Sequence, residues 1–432
     1  MKKIPKIIKL NNGATILYAK TKKKASAISL GFLGGNMEDE KEGTAHFLEH
    51  MLLKQTKNRT FDEINKDKFE ICRVGAFTST LLTAVETLRT NRLINKSFDL
   101  LADILLNTKL DEKYIESEKG VIHEELNRRL DQFQTNIMPF HASQMYEDRF
   151  DYPKGLGSHE NIESMSLEDL HKYRKKNYVS QNFLMSIVTK LPLRKVKKLY
   201  RQHIEPNLVV AENYQERRKY SFEPIKPETL RIVNNEKLQQ VECIITIVTN
   251  LKRDDYKNRT VSSYVRTLIG ETTSPIFLKL REKGLTYIFS AAQVYVCENH
   301  TSMELHFKTS PEKVKSVIDI MSECFKEIYE NGMDEDTFTQ RTLNLKYLED
   351  EEETVERIMN RLNNMVDTYN LLGKFRKPYN WEKENKKLTN EYVNEYFKML
   401  LSKNNKMYVT YLGNLKEEDV YNLEETKSKL LF

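Results

Sequence analysis

The chain has 432 residues, of which 39% are apolar and 10% aromatic, enough for sizeable hydrophobic cores and too many for a disordered protein. Lysine and arginine number 69 and aspartate and glutamate 63, so the net charge of +6 does not indicate a nucleic-acid-binding protein. No uncharged apolar run approaches the roughly 18 residues of a membrane span, and the basic N-terminal residues lack the apolar stretch of a signal peptide. The four cysteines are scattered without a Cys-x-x-Cys pair. We therefore expect a cytoplasmic protein with reduced cysteines, whose partners are neither nucleic acids nor membranes.

Strands and helices alternate irregularly along the first half. Residues 14–33 predict two strands joined by a lysine-rich turn, because apolar residues recur at every second position from Ile28. Helical patterns follow at 43–54, 62–70, 92–107 and 111–133. A capping box that begins at Ser166 predicts a helix, and residues 182–191 predict a strand that ends at Pro192.

The second half repeats this order of elements. It has predicted strands at 241–248 and 406–412 and predicted helices at 258–270 and 388–402. Leu167 aligns with Leu388 at an offset of 221 residues, and Leu191 with Leu415 at an offset of 224. A nearly constant offset indicates a duplicated unit of roughly 200 residues.

A charged segment separates the two halves. Residues 211–229 are poor in apolar side chains and contain Pro224 and Pro227, which is typical of a linker. We therefore predict an N-terminal domain at 1–210 and a C-terminal domain at 230–432.

The pentapeptide His46-Phe-Leu-Glu49-His50 carries the strongest chemical signal. On a helix, positions i and i+4 lie on one face about 6 Å apart, so two imidazoles at that spacing can share one metal ion. Glu49 lies at the flank of the same face, where it can accept a proton from water without being a ligand. The alternative interpretation is an exposed amphipathic helix that carries these residues by chance.

A catalytic zinc needs a third protein ligand and keeps a fourth position open. The glutamate-rich stretch 116–125 is the candidate source. If it is helical, Glu118 and Glu125 lie seven residues apart on one face, whereas Glu124 points away. One of these two glutamates could then bind the metal while the other supports the site from behind the ligands. The alternative for either glutamate is a solvated position on the surface.

Taken together, these residues resemble the M16 peptidases, the inverzincin family of pitrilysin, insulin-degrading enzyme and the mitochondrial processing peptidase. That family combines His-x-x-Glu-His with a distant ligand glutamate, and here 74 residues separate His50 from Glu125. The resemblance covers nearly the whole chain. Further matching positions are Asn12–Gly13, Gly35, Glu38, Phe47–Met51, Lys54, Thr56, Glu118–Ile122, Pro153, Gly155, Gly157, Leu167–Tyr173, Tyr178, Asn182 and Leu280–Tyr287.

The resemblance implies a role for each residue of the candidate metal site. His46, His50 and Glu125 would bind one zinc ion per chain, and Glu49 would be the general base. Glu118 would orient the site from behind the ligands.

The resemblance also implies residues that bind the substrate. Arg281 and Tyr287 match an arginine and a tyrosine that engage the substrate near the scissile bond. Without the resemblance, Arg281 would be interpreted as a surface residue and Tyr287 as a core tyrosine. Gly75 stands where the family usually has an asparagine that contacts the substrate backbone, and losing that contact would weaken peptide binding by about 1 kcal/mol.

The implied fold is α+β, with two homologous domains that each pack a largely antiparallel β-sheet against helices. The length matches the short members of the family, whose protomers pair into a chamber, so we expect a homodimer or a heterodimer with a related M16 subunit. The implied activity is that of a zinc endopeptidase that hydrolyses peptides or unfolded segments bound as an extended strand in a closed chamber. The alternative is a catalytically silent peptide-binding or regulatory subunit of a heterodimeric peptidase.

Overall fold

The computed structural model describes most of the chain, in two units that alternate along the sequence. The described residues are 5–90, 93–133, 136–146, 154–215, 226–251, 256–294, 300–350, 354–355, 357–360, 362–363, 365 and 384–432. The first unit comprises Met1–Leu130, Tyr152–Tyr220 and Glu352–Pro378, and the second comprises Asp131–Asp151, Ser221–Glu351 and Tyr379–Phe432. The predicted boundaries 1–210 and 230–432 place residues 131–151 in the N-terminal domain and residues 352–378 in the C-terminal domain. The structure instead assigns 131–151 to the second unit and 352–378 to the first. Pro153, Cys297 and residues 216–225 of the predicted linker lie outside the described residues.

The first unit contains a six-stranded sheet in the order β1-β2-β6-β3-β5-β4. Its strands are β1 (Lys6–Lys9), β2 (Thr15–Lys20), β3 (Ser26–Leu33), β4 (Gly75–Thr78), β5 (Leu82–Thr90) and β6 (Phe183–Thr189). Strands β2 and β6 are parallel, and all other neighbours are antiparallel. Strand β4 therefore forms one edge of this sheet, with β5 as its neighbour.

The second unit repeats this topology in a five-stranded sheet with the order β7-β11-β8-β10-β9. Its strands are β7 (Thr229–Asn234), β8 (Val241–Thr249), β9 (Ile288–Val294), β10 (Thr301–Thr309) and β11 (Lys406–Gly413). Strands β7 and β11 are parallel and the other pairs antiparallel. Taken in chain order, β7 to β11 occupy the same sheet positions as β2 to β6. This confirms the α+β fold of two similar domains with largely antiparallel sheets.

Fourteen α-helices with defined bounds accompany the sheets in the described part of the chain. In the first half they are α1 (Thr44–Leu52), α2 (Phe61–Glu70), α3 (Ile94–Leu106), α4 (Glu112–Phe133), α5 (Ile137–Met145), α6 (His159–Glu163), α7 (Leu167–Asn177) and α8 (Leu193–His203). In the second half they are α9 (Tyr256–Val265), α10 (Pro275–Glu282), α11 (Val314–Asn331), α12 (Glu335–Asp350), α13 (Asn390–Leu400) and α14 (Leu423–Leu430). The helix predicted at 258–270 is α9, which a π-helical turn at Arg266–Gly270 follows.

Both faces of the first sheet are covered. Helices α1, α3, α7 and α8 contribute to the main core on one face. On the other face, Leu17, Ala84 and Val188 of the sheet pack against Val355 and Met359 from the second half of the sequence. This second layer explains why residues 352–378 belong to the first unit.

Helix α5 covers the second sheet in a corresponding way. Its residue Ile137 packs against Ile244 and Leu412 of that sheet. His141 is buried, with Nε2 2.7 Å from the hydroxyl of Thr246 and Nδ1 2.7 Å from the hydroxyl of Thr410. Burial lowers the pKa of His141 to about 3, so this histidine is neutral in the folded chain.

No helix of the described residues combines the length and the apolar character that a membrane span requires. Cys72, Cys243 and Cys324 are buried free thiols.

Candidate metal centre

The entry into helix α1 fixes the orientation of the histidine motif. Gly43 precedes the helix with a φ of +89°, and a Cβ there would lie 2.6 Å from the carbonyl oxygen of Leu156. The carboxylate of Asp39 accepts hydrogen bonds from the backbone N–H groups of Gly43 at 3.0 Å and Ala45 at 2.9 Å. Asp39 therefore caps the helix, which has no cap from its own N-cap side chain.

Helix α1 buries its apolar side and leaves the candidate site half-buried. Ala45, Phe47, Leu48, Met51 and Leu52 are in the core. His46, Glu49 and His50 are neither fully buried nor exposed, and the ring centroids of the two histidines are 4.7 Å apart. The predicted i, i+4 arrangement is thus present, and its side chains remain accessible to a small molecule.

Helix α4 places Glu125 opposite the two imidazoles. Its Oε2 lies 3.6 Å from Nε2 of His46 and 3.6 Å from Nε2 of His50. One donor atom from each of the three residues lies within 4.8 Å of the others, the only such group of three histidine, cysteine or acidic side chains in the described part of the chain. Two imidazole nitrogens and one carboxylate oxygen are ligands that zinc accepts in tetrahedral sites, so this donor set fits a zinc ion.

Glu118 supports the site from a position on α4 two helical turns before Glu125. This carboxylate is 3% exposed, and its Oε2 lies 3.0 Å from Nδ1 of His50. Its other oxygen forms an ion pair with Lys54. Burial alone would raise the pKa of Glu118, but the hydrogen bonds from His50 and Lys54 outweigh it and hold the pKa below its usual range. Glu118 is therefore an anion that faces away from the three donor atoms and toward the rear of His50.

The two histidines differ electrostatically. Burial and the neighbouring His50 lower the pKa of His46 to about 4, so His46 is neutral and free to act as a ligand. Burial acts on His50 in the same direction, yet the hydrogen bond to Glu118 and the nearby carboxylates raise its pKa. Nδ1 of His46 is buried without a hydrogen-bond partner among the described residues, so only His50 is held from behind.

Glu49 lies beside the donor atoms without being one of them. Burial raises the pKa of its carboxyl, and a hydrogen bond from Thr78 of β4 opposes that rise. The hydroxyl of Thr78 also lies 3.4 Å from the carbonyl oxygen of Ala45 in α1. A carboxylate with a raised pKa at this position can accept a proton at neutral pH and return it.

Two arginines flank the outer side of Glu125. Nη2 of Arg128 lies 3.7 Å from Oε1 of Glu125, and Nη2 of Arg129 lies 3.8 Å from the same oxygen. They turn that oxygen outward while Oε2 faces the histidines.

The second unit carries the predicted substrate pair. Helix α10 ends at Glu282, and Gly284 adopts a φ of +62° in the turn that follows. The guanidinium of Arg281 lies 6.0 Å from the ring centroid of Tyr287, whose side chain is 79% exposed. The interpretation of Tyr287 as a core tyrosine is therefore wrong, because the turn directs the ring to the surface.

Gly75 begins the edge strand β4 and is exposed. A Cβ at this position would meet no atom of the described residues within 4 Å. The structure therefore leaves room for the asparagine that the family usually has here.

The sequence interpretation missed Asp39 and Thr78. Asp39 lies four residues before Gly43, the N-cap residue of α1, and an aspartate ahead of a helix start is a signal for a cap. Thr78 reaches the site through strand pairing between β4 and β5, which no local pattern reveals.

Comparisons with known proteins agree with this geometry. Residues 15–149 match the profile described as "Insulinase (Peptidase family M16)", and residues 164–342 match the profile described as "Peptidase M16 inactive domain". The chain belongs to peptidase family M16. The first profile contains every residue of the candidate metal centre, and the second begins after it.

Relatives of this M16 chain include an uncharacterized zinc protease of Rickettsia bellii, 28% identical over 66% of this chain and 69% of the relative. A probable mitochondrial-processing peptidase subunit beta of Arabidopsis thaliana is 32% identical over 38% of this chain. That match spans 32% of the Arabidopsis protein. An uncharacterized zinc protease of Mycobacterium leprae is 24% identical over 68% of this chain and 66% of the relative.

Solved structures share the fold at lower identity. A protease from Helicobacter pylori aligns with a TM-score of 0.76 at 17% identity, covering 96% of this chain and 100% of that one. The periplasmic protease PqqL of Escherichia coli aligns with a TM-score of 0.78 at 15% identity, covering 99% of this chain and 50% of that one.

Proposed function

We propose that this chain is a zinc-dependent endopeptidase that hydrolyses peptides or unfolded segments. The observation that carries the proposal is the donor set of His46, His50 and Glu125, with Glu49 beside it on the same helix. The zinc protease names of the M. leprae and R. bellii relatives support the same activity.

The three donor residues would hold one zinc ion per chain. When bound, zinc supplies Lewis acidity, which makes a water molecule more acidic and polarises a peptide carbonyl. The residues themselves provide a fixed cradle, because α1 holds both histidines and α4 holds Glu125. Glu118 keeps the Nδ1 proton on His50 and thereby directs the Nε2 lone pair of that ring toward the cradle.

Glu49 would move the proton in this reaction. Its raised pKa suits a carboxylate that takes a proton from the attacking water and then delivers it to the leaving amide nitrogen. Thr78 orients this carboxylate through a hydrogen bond, and it lies on the strand next to which a substrate would bind.

Strand β4 offers a place for an extended substrate. It pairs on one side with β5, and its position at the end of the sheet order leaves the other side open to strand addition. A peptide added there would run past Thr78 and so past Glu49. Arg281 and Tyr287, exposed on the second unit, are proposed to contact the substrate, and the closed chamber stays a prediction.

A catalytically silent, peptide-binding subunit is the alternative. Gly75 favours it, because the chain lacks the asparagine side chain that the family usually presents at the start of this edge strand. The intact set of His46, Glu49, His50 and Glu125 favours the active enzyme, since a binding subunit has no need of a general base.

We also propose that the chain works as a dimer, with a second copy or a related M16 subunit. Relatives include proteins named as beta subunits of a processing peptidase. The expected dimer has a mass of about 102 kDa, twice the chain mass of 51.0 kDa. Light scattering tests this, and a 51.0 kDa particle with full peptidase activity would contradict it.

A cleavage assay tests the activity. The purified chain is incubated with a set of internally quenched peptides, with and without a zinc chelator, and zinc is quantified in the same preparation. We expect cleavage that the chelator abolishes and that added zinc restores. A chain that holds one zinc ion and binds the peptides without cleaving them would instead establish the silent subunit.

A further inference from the structure

A carboxylate with one oxygen left unbonded by the described residues lies one strand in from the proposed substrate edge. Glu86 of β5 has a buried oxygen, Oε2, that no hydrogen-bond donor of the described residues reaches. Burial raises the pKa of this side chain. A buried carboxyl oxygen without a hydrogen-bond donor is unfavourable for folding, so a cation that reached Glu86 would be stabilised there.

Strand pairing puts this carboxylate next to an empty position. Glu86 is directly paired with Gly75 on the edge strand β4, so both residues belong to the same face of the sheet. Gly75 has no side chain, and in the part of the chain that the structure describes no atom lies within 4 Å of where a Cβ would be. Among the described residues, the slot above Gly75 is therefore unfilled between Glu86 and the edge of the sheet.

The same row continues into the sheet with small polar residues. Ser29 of β3 is paired with Glu86, and Ser186 of β6 is paired with Ser29. Both serines are buried, so nothing cationic in this row neutralises Glu86 from the inner side. The open side, over Gly75, is where a counter-ion can approach.

We infer that Glu86 and Gly75 form a subsite that binds a lysine or arginine side chain of the peptide. This inference rests on the proposed addition of a substrate strand to β4. The substrate residue that pairs with Gly75 would lie two strand spacings, about 10 Å, from β5. A lysine or arginine side chain that passes over the glycine can cover this distance together with the side chain of Glu86. A cation there would also keep Glu86 ionised against its burial.

The register sets where the basic residue lies in the peptide. Gly75 is three residues, about 10 Å along the strand, from Thr78, which contacts the motif helix. Side chains alternate between faces, so the residue paired with Gly75 faces away from α1 while the residue paired with Thr78 faces toward it. We expect a preference for lysine or arginine three positions from the residue that pairs with Thr78, on one side only.

Binding measurements test this subsite without any need for cleavage. Fluorescent peptides in which one lysine is moved along a neutral sequence are titrated into the Glu49→Gln chain and into the Glu49→Gln/Glu86→Gln chain. We expect one lysine position to tighten binding about tenfold, and Glu86→Gln to remove that gain while the all-neutral peptide binds as before.

Two further variants make the outcome specific. Gly75→Val fills the slot but keeps the carboxylate, and we expect it to remove the same lysine preference. Glu304→Gln is the matched control, because Glu304 lies on β10, the strand that takes the place of β5 in the second sheet, is paired with Ala292 on the edge strand β9, and has a pKa that burial also raises. It should leave the lysine preference unchanged.

The results separate this inference from the proposed activity. No lysine preference at any position, or a preference that survives both Glu86→Gln and Gly75→Val, overturns the subsite even if the wild-type chain cleaves peptides. A preference that both variants remove supports the subsite even if the wild-type chain proves catalytically silent.

Discussion

Oε2 of Glu118 lies 3.0 Å from Nδ1 of His50, at the rear of the imidazole that faces the other donor atoms. Because an ionised carboxylate only accepts hydrogen bonds, Nδ1 of His50 must carry a proton, so in the neutral ring Nε2 holds the lone pair. The tautomer that a metal ligand needs is therefore fixed before any metal binds.

This relationship predicts different zinc losses for the two glutamates of α4. Glu125→Gln should lower zinc affinity more than Glu118→Gln, because removing a ligand outweighs removing a carboxylate behind it, which costs roughly 10–100-fold. Competition with a chromophoric chelator measures both affinities. An equal loss, or a larger loss in Glu118→Gln, would show that the ligand has been assigned to the wrong glutamate.

Asp39 provides a test of how the site is supported by the fold. Asp39→Ala removes the acceptor for two backbone N–H groups at the start of α1, so we expect a loss of about 1–2 kcal/mol in the free energy of unfolding. Glu40→Ala is the control, since this exposed neighbour pairs with the surface lysines Lys172 and Lys176 and should change stability by less than about 0.5 kcal/mol. Denaturant titration compares the three proteins, and equal midpoints for all of them would exclude a capping role.

Arg281 and Tyr287 are expected to act on the substrate and not on the metal. Arg281→Ala and Tyr287→Phe should each lower kcat/KM by about tenfold or more, which corresponds to losing one charged or polar substrate contact, while zinc content stays the same. Lys283→Ala, an exposed neighbour of Arg281, is the control. Unchanged kcat/KM in both variants would remove the pair from the mechanism.

His141 makes the second unit sensitive to acid. Its folded pKa of about 3 lies below the ordinary value of 6.5, so the unfolded chain binds a proton that the folded chain excludes. The stability due to its neutral form is complete above pH 6.5 and is lost as the pH falls toward 3, by about 5 kcal/mol at most.

The measurement for His141 is the pH dependence of unfolding. His141→Gln cannot be protonated and can still bond Thr246 or Thr410, so its stability should fall less steeply between pH 6.5 and 4 than that of the wild type. Parallel curves for the two proteins would mean that His141 takes no part in the acid response.

The sequence predicted those features that depend on local spacing. His46 and His50 lie one turn apart on a helix, and Glu118 and Glu125 two turns apart, so the period of the α-helix alone brings each pair to one face. The family resemblance then identified the two helices as partners.

Features that depend on distant pairing could not be predicted. Ile137 and His141 pack with the sheet of the second half, and Val355 and Met359 pack with the sheet of the first. His141 contacts Thr246 and Thr410, and partners so far along the chain leave no local pattern in the sequence. The slot at Gly75 likewise depends on its register with Glu86, which only the paired strands define.

The Glu49→Gln variant tests the proposed chemistry most directly, because it keeps the size and hydrogen bonds of the side chain but cannot accept a proton. Zinc content and cleavage of one quenched peptide are measured in the same preparations of wild type and variant. We expect about one zinc ion per chain in both proteins and a kcat at least about a hundredfold lower in the variant, the usual contribution of a positioned general base. Equal kcat in the two zinc-loaded proteins would contradict the role of Glu49 and with it the proposed mechanism.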